Sequence, residues 1–235
     1  MANEEKLTLV AHLEEFRSRV IKSVIFVIIS TCLVYGFVGS ILPPLIKPVG
    51  KLVFIAPQEA FVANIKIAFF GGLFLSAPFV LFQIWRFVST GLHKNETKYV
   101  RIFGPLSFIF FIAGTFFCYF VIIPISIRFL LGFATDLMTP MITVSKYISF
   151  VGTLTLTFGL VFELPLASLF LTKIGLITPR FLSKKRKLAI VIIFVSAAIL
   201  TPPDVITQCM MAVPLLALYE IGILFSKAVY KPKTI

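Results

Sequence analysis

Apolar residues in this chain come in long runs, and most charged residues are gathered into short clusters between them. The runs cover roughly residues 20–42, 60–88, 100–131, 148–172, 188–201 and 205–226. A helix needs about 20 residues to cross a hydrocarbon core of roughly 30 Å, so the pattern predicts six transmembrane helices. The second and third runs exceed that length and are expected to tilt, kink or project beyond the lipid. Pro78, Pro105, Pro124 and Pro165 are the expected kink points. Gly71 and Gly72 permit close approach of a neighbouring helix.

The fifth run is the anomaly. Residues 188–201 give about 21 Å of helix at 1.5 Å per residue. The run starts directly after the basic stretch "KKRK", so its far end is expected to stop roughly 9 Å short of the opposite interface. Pro202 and Pro203 end it, and Asp204 can cap the sixth helix. A bare turn is not tolerated in hydrocarbon, so this one must face protein or a water-filled hollow. The expected fold is an all-α polytopic membrane protein, a single transmembrane domain over 1–235. It is a concave, cupped bundle with short fifth and sixth helices and with Thr201 and Gln208 near its low rim. A plain tight hairpin with a capped helix is the alternative.

Composition points the same way. The 235 residues are 59% hydrophobic and 14% charged, with mean hydropathy +1.03. A soluble domain is nearer half apolar and a quarter charged, so lipid is the expected solvent. A net charge of +12 would suit nucleic acid, but clustering of the charges between apolar runs argues against that partner. Lys6, Arg17, Arg19 and Lys22 lie in or beside an arm over 1–19, and Arg86, Lys94, Lys98 and Arg101 flank the second connection. Residues 173–187 carry the densest basic cluster, and Lys227, Lys231 and Lys233 lie in a tail over 227–235. The opposite connections carry only Lys47, Lys51, Arg128 and Lys146, which places both termini in the cytoplasm.

Catalysis has little to stand on. The N-terminus starts acidic, and no small-residue cleavage site follows the first apolar run, so it does not read as a secretory signal. Cys32, Cys118 and Cys209 stand alone, and His12 and His93 are far apart. No GxSxG, HExxH or Gly-rich phosphate loop occurs, so no enzyme, metal or cofactor is expected.

Three acidic features remain. In "LVAHLEEFRSRV", Leu9, Leu13, Phe16 and Val20 fall within about 60° on a helix, with Arg17 and Arg19 flanking them. This predicts a helix lying on the membrane surface with Glu14, Glu15 and Ser18 turned to the cytosol. A solvated face with a Glu15–Arg19 i,i+4 pair is the plainer alternative. Glu96 opens the third span, where it suits the helix dipole, yet two acidic patches on a basic face would also suit a cationic ligand. Glu163 in "FGLVFELP" falls near mid-membrane on the face of Gly152, Thr155, Gly159 and Ala167. An acid there should face the bundle interior or a cavity; a protonated carboxyl bonded to a neighbouring helix is the alternative.

With these residues the chain resembles the TatC family, the multispanning subunits of twin-arginine protein translocases. The resemblance runs through "HLEEFRSR", "PPLIK", "SAPFVLFQIWRFV", "FGLVFELP" and "LTPPDVITQ…YEIG", in that order. It implies a receptor in the bacterial cytoplasmic (inner) membrane that binds twin-arginine signal peptides. Such a receptor organises TatA/TatB-type single-span partners, self-associates within the receptor complex, and exports folded proteins on the proton-motive force. It places Glu15, Arg17 and Arg19 in the recognition arm, with Glu14 able to reinforce or replace Glu15, and Phe87 and Glu96 in the recognition loop. Pro44 falls in the first outer loop and Asp204 in the outer turn, while Glu163, Thr201 and Gln208 belong to a surface for a partner's helix. The loop "STGLHKNE" lacks the proline and the aromatic–Lys–His–Glu usual in the family. A proton-coupled small-molecule transporter with Glu163 as relay is the alternative function, although no inverted repeat or pair of broken helices supports it.

Overall fold

The computed structural model describes residues 2–92, 97–133, 141–200 and 205–230, with side chains from residue 10 onward. Among these residues the regular elements are helices, and the one isolated bridge is the parallel pairing of Val53 with Thr143. The helices are α1 (Ala2–Tyr35), α2 (Val38–Ile46), α3 (Pro57–Thr90), α4 (Thr97–Phe117), α5 (Ile123–Leu131), α6 (Val144–Val161), α7 (Glu163–Lys173), α8 (Pro179–Lys184), α9 (Arg186–Leu200) and α10 (Val205–Val229).

Five helical stretches are long and apolar enough to cross a membrane: one each in α1, α3 and α10, one from α4 through α5, and one from α6 through α7. The exception is α9, whose 15 residues make about 22 Å of helix, as its short apolar run predicts. A short sixth helix is not found. α10 runs 25 residues, because the apolar run over 205–226 is itself long enough to cross and the helix continues to Val229. The arm also differs from expectation: it is one uninterrupted helix with the first span, not a separate surface helix. That helix stops at Gly36, where three-residue bonds from Gly36 and Phe37 to Leu33 and Val34 tighten the chain before α2 begins.

Proline acts where expected, by removing a backbone donor. Pro78 and Pro105 are absorbed inside α3 and α4. Pro124 leaves the Phe120 carbonyl without its helical partner, and a π-helical turn, Cys118–Ile122, forms there with the Ile123 N–H reaching the Cys118 carbonyl. Pro165 cannot serve the Val161 carbonyl, and the fourth span breaks at Phe162 into α6 and α7. Pro214, inside α10, was not anticipated as a kink point.

The chain forms two compact units. The first comprises Met1–Pro43 and Asn64–Phe108. Its close contact is at Gly71 and Gly72: a Cβ on Gly72 would lie 2.6 Å from the Cα and 2.7 Å from the nitrogen of Thr31. α1 and α3 therefore meet backbone to backbone, and Phe26 stacks on Phe79 at 4.3 Å beside that crossing. Buried Ser76, Ala77, Leu81, Trp85 and Phe103 continue the core.

The second unit comprises Pro44–Ala63 and Ile109–Ile235. A Cβ on Gly159 would meet the Phe111 ring at 2.7 Å, and one on Gly114 would lie 2.6 Å from the Phe158 carbonyl oxygen. On α7 and α10, the Thr172 hydroxyl lies 2.8 Å from the Ser168 carbonyl and 2.9 Å from the Ser226 hydroxyl, with Gly222 against Ser168. Two connections are tied together by hydrogen bonds of 3.0 Å from the Val53 N–H to the Ile142 carbonyl and from the Val144 N–H to the Val53 carbonyl.

Candidate functional site

The polar cluster that brings sequence-predicted residues together lies in the first unit, at the end of α3 that bears Arg86. Spacing of four puts Glu15 and Arg19 on one stripe of α1, and the Arg19 Nε donates to Glu15 Oε1 at 3.1 Å, with Nη2 on the same oxygen. The Arg19 Nη1 donates to Oε1 of Gln83 on α3, at 3.0 Å. The Arg19 side chain is only 14% exposed, and a guanidinium so placed needs both partners to offset lost hydration. One residue thus ties the arm to α3.

A ring stack lies on the same pair of helices. Spacing of four also aligns His12 with Phe16, and Phe87 of α3 meets both: its ring stacks on His12 at 4.6 Å and tilts against Phe16 at 5.3 Å. Glu15 precedes the apolar run that begins at Val20, and the Arg19 guanidinium holds its carboxyl below the usual glutamate value against a smaller, opposing effect of desolvation. Glu15 is therefore an anion at neutral pH.

The structure divides the predicted arm residues into two sets. Glu15, Arg19 and Phe87 are brought together, and Glu15 takes the i,i+4 pairing with Arg19, the plainer of the two expectations, in place of the turn to solvent. Glu14 and Arg17 are exposed on another face, lining a groove of about 340 Å³ with Ser18, Ile21 and Lys22. Glu96, Thr201 and Asp204 lie outside the described residues. Sequence reading missed two members of the cluster. Gln83 had a signal, being the one amide side chain in the apolar stretch "FVLFQIWRFV". His12 had one in its i,i+4 spacing to Phe16.

The remaining candidates lie in the second unit. Glu163 is half-buried at the first position of α7, at the break made by Pro165, with its Oε1 buried. Gly159, on its stripe, is packed against Phe111, so there the small residues serve helix packing. The Gln208 amide donates to the Phe194 carbonyl of α9 at 3.0 Å, closing the α9–α10 hairpin from within. The Pro44 carbonyl accepts from the Tyr119 hydroxyl, and the neighbouring Leu45 carbonyl from that of Tyr147, both at 2.8 Å. Glu220 pairs with Arg186 at 2.7 Å.

Chemically, the first-unit cluster offers the Glu15 carboxylate and an aromatic face beside each other, which suits a guanidinium ligand. No cluster of three or more metal-ligating side chains occurs among the described residues. Several helices long and apolar enough to cross a membrane define a multi-pass membrane protein, and one helical pair carries the polar cluster. Residues 11–214 match the family described as Sec-independent protein translocase protein (TatC). The chain belongs to the TatC family, whose members are translocase components.

A TatC of Carboxydothermus hydrogenoformans is 45% identical over 98% of this chain and 96% of that relative. One of Aquifex aeolicus is 39% identical over 97% of this chain and 98% of its own. The crystal structure of a twin-arginine translocase receptor TatC superposes with a TM-score of 0.87 at 38% identity, covering 93% of this chain and 99% of that one.

Proposed function

We propose that this protein is the signal-peptide receptor of a twin-arginine export system. In this reading it lies in the bacterial cytoplasmic membrane with six crossings and both termini inside. It binds twin-arginine signal peptides at the cytoplasmic face and organises TatA/TatB-type partners, within a receptor complex containing further copies of itself. Folded cargo then crosses on the proton-motive force. Glu14, Glu15, Arg17, Arg19, Phe87 and Glu96 serve the peptide. Glu163, Thr201 and Gln208 serve a partner helix, and Pro44 and Asp204 shape the outer connections.

The observation that carries the reading is the Glu15–Arg19–Gln83 bridge beside the His12–Phe87–Phe16 stack. It fixes acidic and aromatic groups at the basic end of the first helical pair, where paired arginines of a peptide can exchange with or extend the Arg19 contact. Its test is photo-crosslinking of a twin-arginine peptide to membranes holding Glu15→Lys, Glu14→Lys and Glu96→Lys separately. Loss of one charge-assisted contact weakens binding by about tenfold or more, since such bonds contribute roughly 1.5–3 kcal/mol. Undiminished crosslinking in all three variants would reject the acidic groups as the peptide's anchor.

A further inference from the structure

A groove of about 680 Å³ opens between α3 and α4 within the first unit, on the side of α3 that carries Arg86. Toward the Ser89 end of α3 it is lined by Arg86, Ser89 and Arg101, and toward the Pro78 end by Pro78, Phe82 and Phe108. From Ser89 to Pro78 the helix rises about 16 Å, so the charged end and the apolar end are well separated. Arg86 and Arg101 are exposed, and the Arg86 guanidinium sits 5.9 Å from the centre of the Phe82 ring. No acidic residue is among the described residues lining it.

We propose that this groove holds one anionic phospholipid, with its phosphate between Arg86 and Arg101 and its acyl chain along Pro78, Phe82 and Phe108. Charge and shape together choose the occupant. Two cations at one end call for an anion, which the headgroup supplies and a zwitterionic lipid supplies only in neutralised form. A free phosphate would leave the apolar length unfilled. A peptide carrying paired arginines would meet like charge at the charged end, so the groove is distinct from the acidic cluster of α1. The assignment requires only that the chain sit in a bilayer; it does not rest on the export reading.

The chain's one tryptophan, Trp85, lines this groove and serves as the probe. The full-length protein is placed in phosphatidylcholine nanodiscs containing increasing amounts of brominated phosphatidylglycerol or brominated phosphatidylcholine, and Trp85 fluorescence is read. Two arginines near a surface give roughly a thirtyfold preference, so brominated phosphatidylglycerol quenches at a correspondingly lower mole fraction. Arg86→Gln with Arg101→Gln brings the two curves together, and Arg86→Lys with Arg101→Lys keeps them apart. Coincident curves in the wild-type protein, or a preference that survives the double glutamine change, would overturn the assignment. So would quenching of Trp85 by a brominated twin-arginine peptide in the absence of any response to the anionic lipid. Because the wild-type curves decide on their own, a variant that fails to fold leaves the test intact.

Discussion

Arg19 does two jobs that pull in different directions. It neutralises Glu15 and, through Gln83, fastens the arm to α3; in the proposed function an incoming arginine would have to share that same carboxylate. The pair has a pH signature. Because Arg19 holds the folded Glu15 pKa below its unfolded value, its stabilisation is complete above the unfolded value and is lost as pH falls through the folded one. Arg19→Ala moves the Glu15 midpoint upward, which carbon NMR of labelled glutamate carboxyls reads directly. An unmoved midpoint would mean that Arg19 does not set the charge of the site. Gln83→Leu tests the other arm of the bridge. It strands one Arg19 donor, and a neutral partner to a charged group contributes about 1.5–3 kcal/mol, so amide exchange over residues 10–19 should speed markedly. Phe87→Ala removes the stack with His12 and Phe16 and should loosen the same residues, without moving the Glu15 midpoint.

Among the helices, what could be read in advance was whatever local chemistry decides. Proline lacks an N–H wherever it sits, so the π-helical turn before Pro124 and the break before Pro165 fall where the residues put them. The Glu15–Arg19 pair was likewise legible, since spacing of four is a property of one helix. Which helices become neighbours is not local. Gln83 lies 64 residues from Arg19, and nothing in the spacing of either residue joins them. Gly71–Gly72, by contrast, declared a close approach without naming its partner. A side chain at Gly72 must push α1 away, because the atoms it meets are the Thr31 backbone. Gly72→Leu should therefore cost about 3 kcal/mol or more by overpacking, read as a lowered unfolding midpoint in detergent. Gly39→Ala, where a Cβ meets nothing within 4 Å, is the control and should leave it in place.

For the molecule in its bilayer, the question is whether a chain whose helix α9 is only about 22 Å long can place both ends on the same side, as proposed. Five long helical stretches alone would leave the termini on opposite faces, so the proposed topology requires α9 to count as a crossing. Two observations favour that. α9 begins at Arg186, whose guanidinium is held by Glu220 of α10, and it is held again further along, where Gln208 donates to Phe194. α9 and α10 are thus bound to each other at two levels, which suits an antiparallel pair entering and leaving through one face. The basic clusters at residues 173–187 and 227–233 then lie on one side, in accord with the positive-inside tendency. Single cysteines at Ser18, Lys184 and Lys227, in a background with Cys32, Cys118 and Cys209 replaced by Ala, should all resist an impermeant thiol reagent in intact cells. All should react once the membrane is opened. A cysteine at Lys51 should behave in the opposite way, reacting in intact cells. If Lys227 were labelled from outside while Ser18 was protected, α9 would not cross, the chain would have five spans, and the tail could not share a face with the Glu15–Arg19 cluster.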